Sequence, residues 1–432
     1  MFREFLKHLI SEGEIVKITR QVSAKYEIPG IMKELDGRPV LFEKVDDYQM
    51  KVVGNTYSSR ELVARYLKTE PANLLFKMAD AIENPEKPDQ TPEAPFNDNS
   101  AQDISQIPIL THCKGDGGPY ISSGVVISKD KEFGGNLSFH RMMVIDETHM
   151  ALRILPRHLN EFIKRNGGEL DVAIAIGGSA PFMIAAATSV DVGFDEMSIA
   201  NSLEAFTVSP SPTYNIPVPT EAEIIIEGRI TKNTAPEGRF VDLTGTHDII
   251  RQQPVMEIKR VSYRDDAYYQ ALLPGASEHK VLMGMPREPT IYQEVNKVCS
   301  CKNVYLTLGG GSWLHGVIQI EKEGETDGRK AIDAAFKGHK SMKRVVVVDK
   351  DIDLLDPFDV EWAIATRVQA DRDIVVKPNE KGSSLDPSAD PSTRKTTKWG
   401  IDATKPLGEK AKDFEKVQFP KVRIEDYTNR GV

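Results

Sequence analysis

The sequence predicts a multidomain α+β and α/β chain: an N-terminal α/β unit, a strand-rich antiparallel middle and a C-terminal α/β unit. Three observations carry that reading. The length of 432 residues exceeds one typical domain. A proline-rich break, NPEKPDQTPEAP, runs from Asn84 to Pro95. After Met285 the pattern changes from strands separated by Gly/Pro turns to helices and strands in alternation. The expected division is residues 1–106, 107–285 and 286–432.

Taken in order, MFREFLKHLISEGEIVKI spaces its apolar residues for an amphipathic helix and interrupts them with charges, so it lacks the apolar core of a secretion signal. Short strands are expected at Glu14 to Ile18, Pro39 to Phe42 and Lys51 to Val53, with helical patterning from Ser59 to Ile82. From Ile107 to Ala271 strands such as YISSGVVIS, LDVAIAIG, AEIIIEGRI and VMEIKRVSYR dominate, which suits an antiparallel barrel or sandwich able to hold one ligand. Within it, Asn136 to Val144 and Met150 to Leu155 read as a hairpin around the turn DETH. Such a hairpin puts Asn136, Ser138 and His140 on one face and Phe139 and Arg141 on the other, so a bulge or curvature is needed to converge them. The window Val172 to Val190 has no charged residue over 19 positions, enough to cross a membrane. The GGSAP at its centre instead splits it into a buried strand and a helix start. In the last third, EPTIYQEVNKV, VYLTLGG, HGVIQIEK, Glu325 to Lys340, RVVVVD and PFDVEWAIATRVQ alternate, and beyond Lys377 the chain reads as irregular, ending in a short basic tail.

Composition excludes several classes. A net charge of -9 without a long basic run argues against nucleic acid as a partner. Cys113, Cys299 and Cys301 lack metal-type spacing and suit a reducing, cytoplasmic setting. There is no phosphate-binding P-loop, no G-x-S-x-G elbow and no H-E-x-x-H. The acidic run from Asp349 to Asp359 lacks the glycine and glutamate of a calcium loop, having Leu354 and Val360 in those places, and Asp356 ahead of Pro357 reads as a helix cap. PEGRFVD is more informative. It sets Glu237 and Asp242 in one loop, and paired carboxylates near a buried arginine can hold different protonation states; the plain alternative is a solvated turn. Glu196, in FDEMSIANS, reads equally as a helix-start acid or a ligand.

Nine segments in fixed order resemble the UbiD family of decarboxylases, which use prenylated FMN: DGGPYISSGVVISKD (Asp116 to Asp130), NLSFHR (Asn136 to Arg141), RILPRH (Arg153 to His158), FDEMSIANS, VPTEAEIIIEG, PEGRFVD (Pro236 to Asp242), RVVVVDKDIDLLD, IATRVQADRD and TKWGIDAT. The resemblance implies a central split β-barrel flavin-binding domain and a C-terminal domain through which homo-oligomers, dimers or hexamers, assemble. It also implies non-oxidative decarboxylation of a small α,β-unsaturated carboxylic acid, with a flavin prenyltransferase supplying the cofactor and no membrane partner. Carried over residue by residue, Asn136, His158 and Glu196 would hold Mn²⁺ or Mg²⁺ at the cofactor phosphate, with K⁺ alongside. Phe139, His140, Arg141, Arg153, Ile154, Leu155, His158 and Lys398 would contact the cofactor. Arg141 would grip the substrate carboxylate, Glu237 would fix Arg141, and Asp242 would deliver the proton that replaces carbon dioxide. Closure of the N-terminal domain over the barrel would exclude water.

Family members acting on aromatic acids usually carry EGPFG or EGPYG where this chain has Arg239 and Val241 in the variable places. With its compact length, the chain looks like the archaeal branch that converts trans-anhydromevalonate 5-phosphate to isopentenyl phosphate in a modified mevalonate pathway. Arg239 then becomes a candidate partner for the substrate phosphate. An aromatic, 4-hydroxybenzoate-like acid is the alternative substrate. A flavin-binding carrier without turnover is the alternative of another class, although all three polar positions, Arg141, Glu237 and Asp242, are present.

Overall fold

The structure, a computed structural model, describes residues 1–417, 419–423 and 427, so the end of the basic tail lies outside the described residues. Among the described residues, three larger sheets of four, nine and five strands and two small ones of three and two strands, with covering helices, build a mixed α+β chain. The N-terminal helix Phe2–Ser11 buries Phe2, Phe5, Leu6 and Leu9, the face its periodicity predicts. The patterning from Ser59 to Ile82 resolves into two helices, Arg60–Tyr66 and Leu74–Glu83, separated where Pro71 opens a short 3₁₀ turn. The first sheet orders Val16–Ile18, Val40–Phe42 and Lys51–Gly54, and takes its fourth strand, Tyr268–Ala271, from far along the chain.

The central sheet has nine strands. Its path runs Tyr120–Ile121, Met142–Asp146, His149–Leu152, Arg251–Tyr263, Ile224–Glu237, Leu170–Ile176, Val125–Asp130 and Gly134–Phe139, with Asn99–Ala101 attached to Arg251–Tyr263. All pairings within it are antiparallel, and among the described residues no pairing joins its two ends. The expected hairpin is therefore only partly formed. Met142–Asp146 does pair with His149–Leu152, but Gly134–Phe139 pairs instead with Val125–Asp130, and the chain leaves the strand at His140 and Arg141.

The uncharged window forms the strand Leu170–Ile176 and the helix Ala180–Ala187, with Ser179 at its N-cap. No helix among the described residues is long and apolar enough to cross a membrane. The C-terminal sheet orders Ser300–Leu306, His315–Glu321, Arg344–Asp349, Lys395–Ala403 and Ile374–Lys381. Val345 and Val347 face one apolar cluster and Val346 and Val348 another, so both faces of this sheet are covered. The reading of an irregular chain beyond Lys377 is corrected here. Ile374–Lys381 and Lys395–Ala403 are strands, and the latter is interior to the sheet. Its lysines and threonines conceal a β-branched and aromatic run that needs a valine-rich neighbour to become legible. The aspartate run works as capping and pairing: Asp356 accepts from Phe358 N at 2.9 Å, and Arg367 donates to Asp349 at 3.0 Å and to Asp351 at 2.8 Å.

Gly177 makes the turn from strand to helix at φ +83°, a region that a side chain tolerates poorly, and a Cβ there would overlap the Glu223 side chain. Glu223 cannot retreat, because Arg3 holds both its carboxylate oxygens at 2.7 Å and Tyr268 N donates to it at 3.0 Å. Gly177→Ala is expected to lower stability by about 2 kcal/mol or more, read as a shift of the urea midpoint at unchanged slope. An unshifted midpoint would show that the turn is not constrained.

Candidate active site

The break in the strand after Phe139 is what converges the polar residues. Asn136 and Ser138 still point from the strand, and once the ladder ends His140 and Arg141 turn into the same space. That space is a cavity of about 780 Å³, lined among others by Asn136, Phe139, His140, Arg141, Arg153, Leu155, His158, Glu196 and Asp242. Its size is that of a small-molecule or cofactor site.

Arg141 is the hub. Its Nε and Nη2 donate to the two carboxylate oxygens of Glu237 at 2.8 and 3.1 Å, a bidentate pair, and Nη1 donates to Asp242 Oδ2 at 3.0 Å. Nη2 also donates to Asp248 Oδ2 at 3.0 Å. The guanidinium lies 4.8 Å from the centroid of the Phe240 ring, and Tyr120 donates its hydroxyl to Glu237 at 3.1 Å. Burial by itself would lower the Arg141 pKa, but the pairing with Glu237, then the charges of Asp242 and Asp248, raises it above its ordinary value. Burial would likewise raise Asp248, yet the hydrogen bond from Arg251, with the charges of Arg141 and Arg251, holds it low.

These acids come from consecutive structure. Glu237 ends the long strand Ile224–Glu237, and Asp242 and Asp248 flank a short hairpin in which Phe240 pairs with Asp248 and Val241 with His247. Asp248, Arg251 and Tyr120 were not singled out from the sequence. The hairpin turn LTGT, closed by Gly245 N donating to Asp242 O at 2.8 Å, is the signal that could have found Asp248.

A second group gathers Asn136, His158 and Glu196. Asn136 Nδ2 donates to Glu196 Oε1 at 3.3 Å, Leu137 N donates to Glu196 Oε2 at 3.0 Å, and His158 Nδ1 lies 3.5 Å from Glu196 Oε1. Glu196 and His158 each open a helix, Glu196–Leu203 and His158–Arg165, so Glu196 is a helix-start acid. An amide oxygen, an imidazole and a carboxylate at this separation are chemically suited to a hard divalent cation.

Three of the expected contacts lie elsewhere. Lys398 does not line the cavity: it is buried and donates to Lys340 O at 2.6 Å. Ile154 packs in the apolar core, and its N–H donates to Gln253 at 2.9 Å. Arg239 is exposed and off the cavity, and its carbonyl accepts from Gly117 N at 2.8 Å and from the Tyr120 hydroxyl at 3.5 Å. In each case sequence order did not reveal which way the chain turns after the motif.

His140 is fixed by two bonds, with Nδ1 facing Arg153 O at 2.9 Å and Nε2 facing Ser138 Oγ at 3.0 Å. Because a carbonyl only accepts, Nδ1 carries the proton, Nε2 accepts from Ser138, and the ring is neutral. Burial holds its pKa down to about 4, with Arg153 and Arg157 adding to the effect against the hydrogen bond to Arg153 O. A histidine depressed in the folded state adds stability above the unfolded pKa, near 6.5, that is lost as pH falls towards 4. ¹⁵N-histidine NMR at pH 6 should show a neutral Nδ1–H ring for His140, and a signal titrating near 6.5 would contradict this environment.

Comparison with known proteins accords with this geometry. Residues 6–82 match the 3-octaprenyl-4-hydroxybenzoate carboxy-lyase N-terminal domain, residues 87–277 its Rift-related domain and residues 280–403 its C-terminal domain. The chain is 40% identical over 423 residues to the anhydromevalonate phosphate decarboxylase of Methanothermobacter thermautotrophicus, covering 96% of this chain and 99% of that one. It is 42% identical over 412 residues to the enzyme of the same name from Methanocaldococcus jannaschii, covering 93% and 97%. Among solved structures, the UbiD-class enzyme HmfF from Pelotomaculum thermopropionicum in complex with FMN superposes with a TM-score of 0.95 at 35% identity, covering 99% of this chain and 100% of that one. Matched along nearly its whole length in sequence and in fold, the chain belongs to the UbiD family.

Proposed function

We propose that this protein is a carboxy-lyase that decarboxylates trans-anhydromevalonate 5-phosphate to isopentenyl phosphate with prenylated FMN. The observation that carries the reading is the cage around Arg141, in which Glu237 occupies one edge of the guanidinium and Asp242 sits on Nη1, facing the cavity. Support for the substrate comes from relatives named anhydromevalonate phosphate decarboxylase at 40% and 42% identity, and for the cofactor from relatives solved with FMN and with prenylated FMN. We read the open nine-stranded sheet as the split β-barrel of this family.

In this reading Asn136, His158 and Glu196 hold Mn²⁺ or Mg²⁺ against the cofactor phosphate, with K⁺ nearby. Prenylated FMN, when bound, supplies the electron sink for cleavage of the carbon–carbon bond. The protein's own residues do the rest. Arg141 offers the substrate carboxylate its Nη1–Nη2 edge, where Asp242 and Asp248 now sit, and Glu237, itself held by Tyr120, keeps the guanidinium from rotating. A substrate carboxylate that takes Nη1 displaces Asp242 from Arg141. Asp242, still tethered by Leu243 N at 2.8 Å, is then the carboxyl group placed to hold a proton and hand it to the carbon that loses carbon dioxide. The cofactor is supplied by a flavin prenyltransferase, and the active form is a cytoplasmic homo-oligomer.

The decisive experiment is co-expression with a flavin prenyltransferase, followed by product analysis on trans-anhydromevalonate 5-phosphate and, separately, on 4-hydroxybenzoate. Isopentenyl phosphate from the first and no product from the second is the expected result, and the reverse would transfer the chain to the aromatic-acid enzymes. Asp242→Asn should retain cofactor and metal while kcat falls about 10²- to 10⁴-fold, and turnover near that of the wild type would remove Asp242 from the proton-transfer role. Glu196→Ala should be isolated with little metal or flavin, measured by elemental analysis and absorbance; full loading would show that Glu196 is not a ligand.

A further inference from the structure

Two arginines in the cavity have no part in the chemistry above. Arg157 stands at the N-cap of the helix His158–Arg165, and Arg287 follows the helix Ser277–Gly284; both line the cavity. The other cavity arginines have acidic company: Arg141 is surrounded by three carboxylates, and Arg153 lies 4.0 Å from Asp248. Arg157 and Arg287 have none among the described residues. Among the described residues, neither guanidinium makes an ion pair or a side-chain hydrogen bond.

Arg287 is the more telling of the two. It is 8% exposed, and its Nε is buried without a partner. Its guanidinium lies 5.3 Å from the centroid of the Trp313 ring, and Trp313 is itself fixed by Nε1–H donating to Ser383 Oγ at 3.2 Å. The ring thus supports one face of the cation and leaves its donor edges free. Burial, then the nearby charge of Arg157, pushes Arg287 down to about 9, still protonated at neutral pH. Burial first, and then the charges of Arg287, Lys398 and Arg157, hold the His339 pKa down, which places Lys398 as a further cation in this neighbourhood. A cation held out of water without a counter-ion, as Arg287 is, with the exposed Arg157 as a second positive charge nearby, is costly unless an anion joins it. A guanidinium fork with free edges matches the oxygens of a phosphate.

We propose that Arg157 and Arg287 form a second anion subsite in the cavity, which takes the phosphate of the substrate while Arg141 takes its carboxylate. The inference rests on the proposed decarboxylation of a phosphorylated acid, and it replaces Arg239, which lies outside the cavity, in the phosphate-binding role. The subsite selects a substrate bearing anions at both ends. An aromatic acid with a neutral far end would leave the buried Arg287 unpaired, so it binds at a disadvantage.

Three measurements test this on wild type, Arg287→Gln and Arg157→Gln, with Arg287→Lys as a variant that keeps the charge if Arg287→Gln fails to fold. In the first, inorganic phosphate titrated into FMN-loaded protein should raise the Tm of the wild type and not that of the Gln variants. In the second, prenylated-FMN enzyme should show a KM for trans-anhydromevalonate 5-phosphate raised about 10- to 100-fold in the Gln variants, with kcat within a few-fold and no matching change for the dephosphorylated acid. In the third, FMN affinity measured by fluorescence quenching should be unchanged. Weaker FMN binding would transfer the subsite to the cofactor's phosphate and overturn the inference, as would an unchanged KM or a phosphate-induced Tm shift that survives the substitutions. If the wild type binds phosphate through Arg287 but does not turn over the phosphorylated acid, the anion subsite stands and the substrate reading fails.

Discussion

Arg141 keeps its place because three carboxylates from one short stretch of chain surround it. Glu237 closes a fourteen-residue strand, and Asp242 and Asp248 flank the hairpin that follows. With the guanidinium 8% exposed, such a cluster is stable only when its charges are matched. Deleting the cation would strand buried anions. The binding site and the local fold are therefore one electrostatic arrangement, in which Arg251 bonded to Asp248 supplies the second cation.

The cavity sorts its arginines by company. Those beside Glu237, Asp242 and Asp248 have their charge answered within the protein, whereas among the described residues no carboxylate answers Arg157 or Arg287. An anionic ligand group meets competition at the first set and none at the second. That difference is a basis for orientation: the end of a substrate that can displace a carboxylate, and later accept a proton from it, belongs at Arg141.

Much of this was legible in the letters. The apolar face of the first helix, the strand–turn–helix hidden in an uncharged window, the alternating C-terminal elements and the capping aspartates all follow from local chemistry. The nine ordered motifs also contain the residues that now meet around the cavity, Asn136, His158 and Glu196 on one side and Arg141, Glu237 and Asp242 on the other. What stayed hidden depends on tertiary placement. Asp248 sits in no charged pattern and gains its role from hairpin register. Lys398 and Arg239 lie beside or within motifs but turn away from the cavity, the first to a backbone carbonyl and the second to solvent. The strand Lys395–Ala403 looks polar because its neighbours, not its own side chains, supply the valines. Arg287 announced nothing, since only the finished fold shows that it lacks a counter-ion among the described residues.

The strand Tyr268–Ala271 completes a sheet whose other members lie between residues 16 and 54. A nascent chain therefore carries an unpaired edge at Lys51–Gly54 until more than half of its 432 residues have been synthesised. Closing that loop brings distant segments together late, an arrangement that slows folding and exposes strand backbone meanwhile. A fragment cut at the proline-rich segment would keep the first helix and three strands yet leave the Lys51–Gly54 edge without its partner strand.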